Sequence, residues 1–181
     1  MVILITGATH TGKTLLAQKL LEKYNYPYFS IDHLKMGLIR SGNTHLTPMD
    51  DEELTLYLWP ILREMIKTVI ENRQNLIIEG CYIPFDWRQS LEVEYQKDIQ
   101  FACIAMSEDY IERHYSEIIA KASVVESRLD DDCSVEFLQR ENKLYREGFG
   151  SSGENVFLIE GDYEVWLNEV LKCECFFRRI L

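Results

Sequence analysis

The sequence predicts an α/β domain, a five-stranded parallel sheet with helices on both faces. Three observations predict it. Short apolar runs of strand length recur along the chain, and two of them, VILIT and NLIIE, run into glycine. Stretches with apolar residues at helical spacing separate these runs. The runs are apolar at nearly every position rather than at alternate ones, as strands buried on both faces are. Strands alternating with helices then argue for a parallel sheet.

Val2–Thr6 is the first strand. Thr14–Tyr24 is the first helix, with Leu15, Leu16, Ala17, Leu20 and Leu21 at helical period. Tyr28–Ile31 is a second strand ending at Asp32, and His33–Arg40 is one or two helical turns broken at Ser41-Gly42-Asn43. A long helix starts at Thr47-Pro48-Met49-Asp50, where Thr47 suits the N-cap, Pro48 the first helical position and Asp50 the reciprocal acid. Leu54, Leu58, Ile61, Leu62, Met65, Ile66 and Val69 form its inner face, and Pro60 is expected to kink it. Asn75–Glu79, Ile99–Met106 and Val156–Ile159 are the remaining strands. Between the last two lies a charged, mostly helical stretch, Glu108–Glu147, with an exposed break expected at Glu126–Asp132. Gly148–Gly153 reads as a loop and Tyr163–Leu171 as a closing amphipathic helix.

The chain of 181 residues suits a single domain, 1–181, with a full hydrophobic core. Its 46% apolar and 27% charged residues are close to globular averages and argue against disorder. No apolar stretch approaches the roughly 20 residues of a membrane span, and no basic segment precedes the first apolar run, so a cytoplasmic protein without a membrane or secretory role is expected. A net charge of −11 repels polyanions and argues against nucleic acid as partner. The cysteines Cys81, Cys103, Cys133, Cys173 and Cys175 are an odd number without zinc spacing and read as reduced thiols.

The strongest signal is Gly7-Ala8-Thr9-His10-Thr11-Gly12-Lys13-Thr14, which matches G-x-x-x-x-G-K-[ST] between a strand and a helix. Gly7 and Gly12 let the backbone turn so that several N–H groups face one phosphate. Thr9, His10 and Thr11 fill the variable positions beside it. Lys13 bridges the β- and γ-phosphates of a nucleoside triphosphate, the Thr14 hydroxyl takes Mg²⁺, and the helix N-terminus adds its positive end. Two further acids stand at strand ends. Asp32 ends the second strand, where it suits the N-cap of the next helix. Glu79 ends the third, the place of a metal-binding acid beside a phosphate loop. A guanine-reading N-K-x-D is absent; the nearest string is Asn142-Lys143-Leu144-Tyr145.

The phosphate loop, the chain length, the five strands and the charged segment before the last strand resemble the small P-loop kinases. That group includes nucleoside monophosphate kinases, shikimate kinase, chloramphenicol phosphotransferase, zeta-toxin-like kinases and 2-phosphoglycerate kinase. The resemblance implies a three-layer α/β/α fold with sheet order 2-3-1-4-5 and a helical lid within 108–147. It implies an ATP- and Mg²⁺-dependent transferase acting on a hydroxyl, or a phosphate, of a small-molecule acceptor, as a monomer or homodimer. In this reading Lys13, Asp32, Glu79 and a lid arginine, Arg128 first, carry catalysis, with Arg113, Arg140 and Arg146 as the other lid arginines. Asp32, Arg40, Gly80 and Cys81 face the acceptor, and Thr14 and Glu79 hold the metal. Gly80-Cys81-Tyr82-Ile83-Pro84 stands where adenylate kinases carry G-F-P-R, which argues against a nucleoside monophosphate acceptor. A nucleoside monophosphate kinase-like enzyme and an ATP-binding regulatory or toxin-type module are the alternatives.

Overall fold

A computed structural model describes residues 1–121 and 133–173. Five strands, β1 (Val2–Gly7), β2 (Tyr28–Ser30), β3 (Leu76–Glu79), β4 (Ile99–Met106) and β5 (Val156–Ile159), form one sheet of order β2-β3-β1-β4-β5. Every neighbouring pair is parallel. The expected fold class and strand order are therefore those observed.

Among the described residues, α1 (Lys13–Tyr24), α2 (Ile31–Arg40), α3 (Asp51–Glu71), α4 (Val93–Gln96), α5 (Glu108–Lys121) and α6 (Val135–Ser151) lie between strands, and α7 (Tyr163–Lys172) follows β5. Alternation along β1 explains the two-sided core. Ile3 and Ile5 point to one face, where they meet Leu16 and Leu20 of α1, Ile111 of α5, Leu138 of α6 and Leu167 of α7. Val2 and Leu4 point to the other, against Leu54, Leu58 and Leu62 of α3 and the aromatic residues Trp87, Phe101 and Phe149. No helix among the described residues is long and apolar enough to cross a membrane.

Three of the differences from the sequence expectation have a clear physical reason. Ile31 is helical, because β2 pairs with β3 only from Tyr28 to Ser30 and the fully buried Ile31 turns under the sheet edge. Thr47 and Asp50 do interact, with the Thr47 N–H donating to Asp50 Oδ2 at 2.6 Å, but they close a turn ahead of α3, and Asp50 rather than Thr47 is its N-cap. The glycines from Gly148 belong largely to α6, which runs on to Ser151. A Cβ at Gly148 would stand 2.6 Å from the Phe85 ring, so this glycine makes room for an aromatic side chain instead of ending a helix. The fully buried Phe149 beside it anchors that turn. Cys81, Cys103 and Cys133 are free thiols, whereas Cys173 is disulfide-bonded, which corrects the expectation of reduced thiols throughout. Sequence spacing could not reveal it, because pairing depends on the approach of two side chains in space.

Candidate active site

The phosphate loop lies between β1 and α1, at the carboxyl end of the central strand. Gly12 has φ +83°, the left-handed region, and a Cβ there would lie 2.0 Å from the Tyr163 hydroxyl. The position therefore needs glycine both for its backbone and for its close neighbour. The Ala8 carbonyl gathers the loop, accepting from Thr11 Oγ1 at 2.9 Å and from Lys13 Nζ at 2.8 Å. Lys13 is only 6% exposed, so its ammonium is held across the loop and not in solvent. The first N–H groups of α1 have no carbonyl one turn earlier and face outward from the helix end, the arrangement that receives phosphate. Thr9 and His10 are half-buried on the same loop. His10 Nε2 lies 2.8 Å from Cys133 Sγ, which ties the loop to the segment preceding α6.

Glu79 is 2% exposed at the end of β3 and accepts from Thr14 Oγ1 at 3.3 Å. The pair brings two hard oxygen donors together at the first turn of α1, a donor set that suits Mg²⁺. The sheet register explains the meeting: Glu79 stands opposite Ile5 of β1 on one side and Ser30 of β2 on the other. The following residue, Gly80, has φ +154°, and a Cβ there would lie 2.7 Å from Ile31 Cβ. Its lack of a side chain lets α2 start directly over the end of β3. The Gly80 N–H donates to the Ile5 carbonyl at 3.1 Å and is thus engaged within the sheet. Cys81 Sγ contacts the Gly7 carbonyl at 3.5 Å, and its own carbonyl accepts from Tyr145 Oη of α6 at 2.9 Å. Burial pushes the Cys103 thiol up to about 12, with Cys81 adding to the shift and Lys13 opposing it, so Cys103 stays a neutral core residue.

Asp32 is in the first turn of α2, two residues past Ser30. Its Oδ1 pairs with Lys35 Nζ at 2.6 Å. Lys35 Nζ also donates to Tyr82 Oη at 2.8 Å, and Tyr82 Oη donates to Asp51 Oδ1 at 2.9 Å. Burial first, then the Asp51 charge, holds the Tyr82 phenol above its ordinary value and so keeps it a donor. Lys35 and Asp51 escaped the sequence reading. The i,i+3 spacing of Asp32 and Lys35 was a readable signal for the pair, whereas the reach of Tyr82 to Asp51 is purely tertiary. Arg40 is exposed at the far end of α2, eight residues or about 12 Å along the axis from Asp32, and is not brought to the site.

Of the arginines expected in a lid, Arg128 lies outside the described residues. Arg113 is engaged by Asp109 and the Glu160 carbonyl, Arg140 stacks on Phe137 at 5.3 Å, and Arg146 is half-buried on α6. Asn142 is 1% exposed and works in the core: its Oδ1 accepts from the Met106 N–H at 2.7 Å and its Nδ2 donates to the Leu138 carbonyl at 2.8 Å, fastening α6 to the end of β4.

No family profile matches the chain, and no curated protein matches it by sequence. Its fold, however, recurs among solved structures. A gluconokinase from Sinorhizobium meliloti 1021 superposes with a TM-score of 0.54 at 15% identity, covering 94% of this chain and 89% of that one. A deoxyadenosine kinase from M. mycoides gives 0.55 at 14% identity, over 94% and 97%. Shikimate kinase from Aquifex aeolicus gives 0.52 at 15% identity, over 94% of each chain. The chain has the α/β fold of the small P-loop kinases.

Proposed function

We propose that this protein is a small-molecule kinase that uses ATP and Mg²⁺ and delivers the γ-phosphoryl group to a hydroxyl, with Asp32 as the base. The observation that carries the reading is the side-by-side placement of three strand ends: the phosphate loop after β1, Glu79 on Thr14 at the end of β3, and Asp32 two residues past β2. A protein that only bound the nucleotide would not need the second acid.

Lys13 and the α1 amides orient the triphosphate, and Thr14 with Glu79 would hold Mg²⁺, which supplies charge neutralisation across the β- and γ-phosphates when bound. Asp32 then has one oxygen, Oδ1, fixed by Lys35; Oδ2 has no partner among the described residues and faces the task of accepting the acceptor's proton. As the acceptor oxygen bonds to the γ-phosphorus, the bond to the β–γ bridging oxygen breaks and ADP leaves. The fold likeness to gluconokinase and shikimate kinase supports a hydroxyl acceptor.

The experiment is ADP release from ATP-Mg²⁺ with a panel of sugars, hydroxy acids and antibiotics, run beside Lys13→Ala and Asp32→Asn. Acceptor-dependent release that is lost in both variants is expected. Undiminished release by Asp32→Asn removes Asp32 from the base role.

A further inference from the structure

Lys35 is one of the more tightly held cations near the site. Its side chain is 11% exposed, against 33% for Asp32. The ammonium forms an ion pair with Asp32 Oδ1 at 2.6 Å, donates to Tyr82 Oη at 2.8 Å and lies 4.8 Å from the centre of the Tyr82 ring. Tyr82 is itself 5% exposed and fixed at its far end by Asp51, the first residue of α3. The result is a chain of contacts, Asp32–Lys35–Tyr82–Asp51, that braces the start of α2 against the start of α3 through the loop after β3.

We infer that Lys35 is a positioning residue for Asp32, and that the Tyr82–Asp51 pair holds it in place. The inference rests on the kinase reading above. The competing role for a lysine here is to clamp an anionic group of the acceptor. The geometry favours positioning, because the ammonium is already engaged by a carboxylate of this chain, and a second carboxylate, Asp51, stands on the other side of the Tyr82 hydroxyl. A phosphate or carboxylate on the acceptor would meet that acidic surface with no free cation from Lys35. The acceptor this arrangement fits is therefore one that brings no anionic group to Lys35.

The two roles leave different kinetic signatures. Misplacing a base by about 1 Å costs on the order of 100-fold in turnover, so Lys35→Met is expected to lower kcat by about 10- to 100-fold while leaving the acceptor KM within about 3-fold. Lys35→Arg, which keeps a cationic donor, should recover most of the loss. In an Asp32→Asn background, Lys35→Met should cost less than about 3-fold more, because the residue it orients is gone. Tyr82→Phe, a milder change, should show the same non-additivity with Asp32→Asn and serves if Lys35→Met folds poorly.

Losses that multiply in the double variant, or a raised acceptor KM at unchanged kcat, overturn the inference and make Lys35 an acceptor ligand. A preference of the wild type for phosphorylated or carboxylated acceptors overturns the acceptor class. An Asp32→Asn single variant with full activity removes Asp32 from the base role and this inference with it, and a wild type that phosphorylates no acceptor overturns the kinase reading itself. That failure is visible before the cycle is analysed.

Discussion

Gly12→Ala is the substitution whose cost can be worked most directly from the structure. Alanine at φ +83° is held in the left-handed region at about 1–2 kcal/mol. Its Cβ would also stand 2.0 Å from Tyr163 Oη and 3.0 Å from Cζ, so the ring must move back by about an ångström, an overpacking worth about 1–3 kcal/mol. The sum is about 2–5 kcal/mol, or a fall in Tm of several degrees at about 2–4 °C per kcal/mol for a chain of this size. Tyr163 separates the two contributions. Its hydroxyl is buried and has no hydrogen-bond partner among the described residues, so Tyr163→Phe alone should be close to neutral. Combined with Gly12→Ala it should recover the steric part, leaving the backbone part and a Cζ contact at 3.0 Å. Urea unfolding of the four proteins in the cycle gives both numbers. A Gly12→Ala variant within about 0.5 kcal/mol of wild type, or a double variant no more stable than Gly12→Ala, refutes the reasoning.

Three further outcomes follow from the same contacts. Asn142→Ala strands the buried Met106 N–H and should destabilise by about 2 kcal/mol in urea unfolding, with no direct effect on nucleotide affinity; an unchanged midpoint would mean that α6 is not fastened to β4 this way. Burial, then the Asp51 charge, raises the Glu141 carboxyl above 4.5, with Arg140 opposing. Its folded value thus exceeds its unfolded one, so ionisation costs stability above the folded value and nothing below 4.5. Glu141→Gln should therefore raise Tm at neutral pH and lose that advantage on acidification, and a gain that grows toward acid pH would reverse the sign argued here. Finally, ATP-Mg²⁺ at about 100 times its Kd should stabilise the wild type by about 2.7 kcal/mol and Lys13→Ala far less, as read by thermal melting; equal shifts for both would mean that Lys13 does not hold the nucleotide.

Much of the fold was legible because its strands are buried on both faces and carry that in their composition: VILIT, LIIE and IQFACIAM read as strands without help. The phosphate loop was equally legible, since its residue types are dictated by backbone geometry. What was not legible depended on contacts between distant segments. Gly148 looks like a helix breaker until Phe85 is seen to occupy the space beside it. Asn142 looks like part of a failed guanine motif until the end of β4 is seen to need an acceptor. Arg40 reads as an anion clamp or a solvated helix end, and the helix carries it about 12 Å along the axis from Asp32 into an exposed position. Lys35 was hidden by its ordinariness, a lysine one turn after an aspartate, and gains meaning only from Tyr82 and Asp51.

The central claim is that the phosphoryl group leaves ATP for an acceptor activated at Asp32. The most direct measurement is mass spectrometry of the acceptor after incubation with ATP carrying heavy oxygen in its γ-phosphoryl group. The account predicts a phosphorylated acceptor that carries the label, formed by the wild type and reduced at least about 100-fold by Asp32→Asn. Labelled inorganic phosphate alone across a broad hydroxyl panel, or labelled product at wild-type rate from Asp32→Asn, would contradict it.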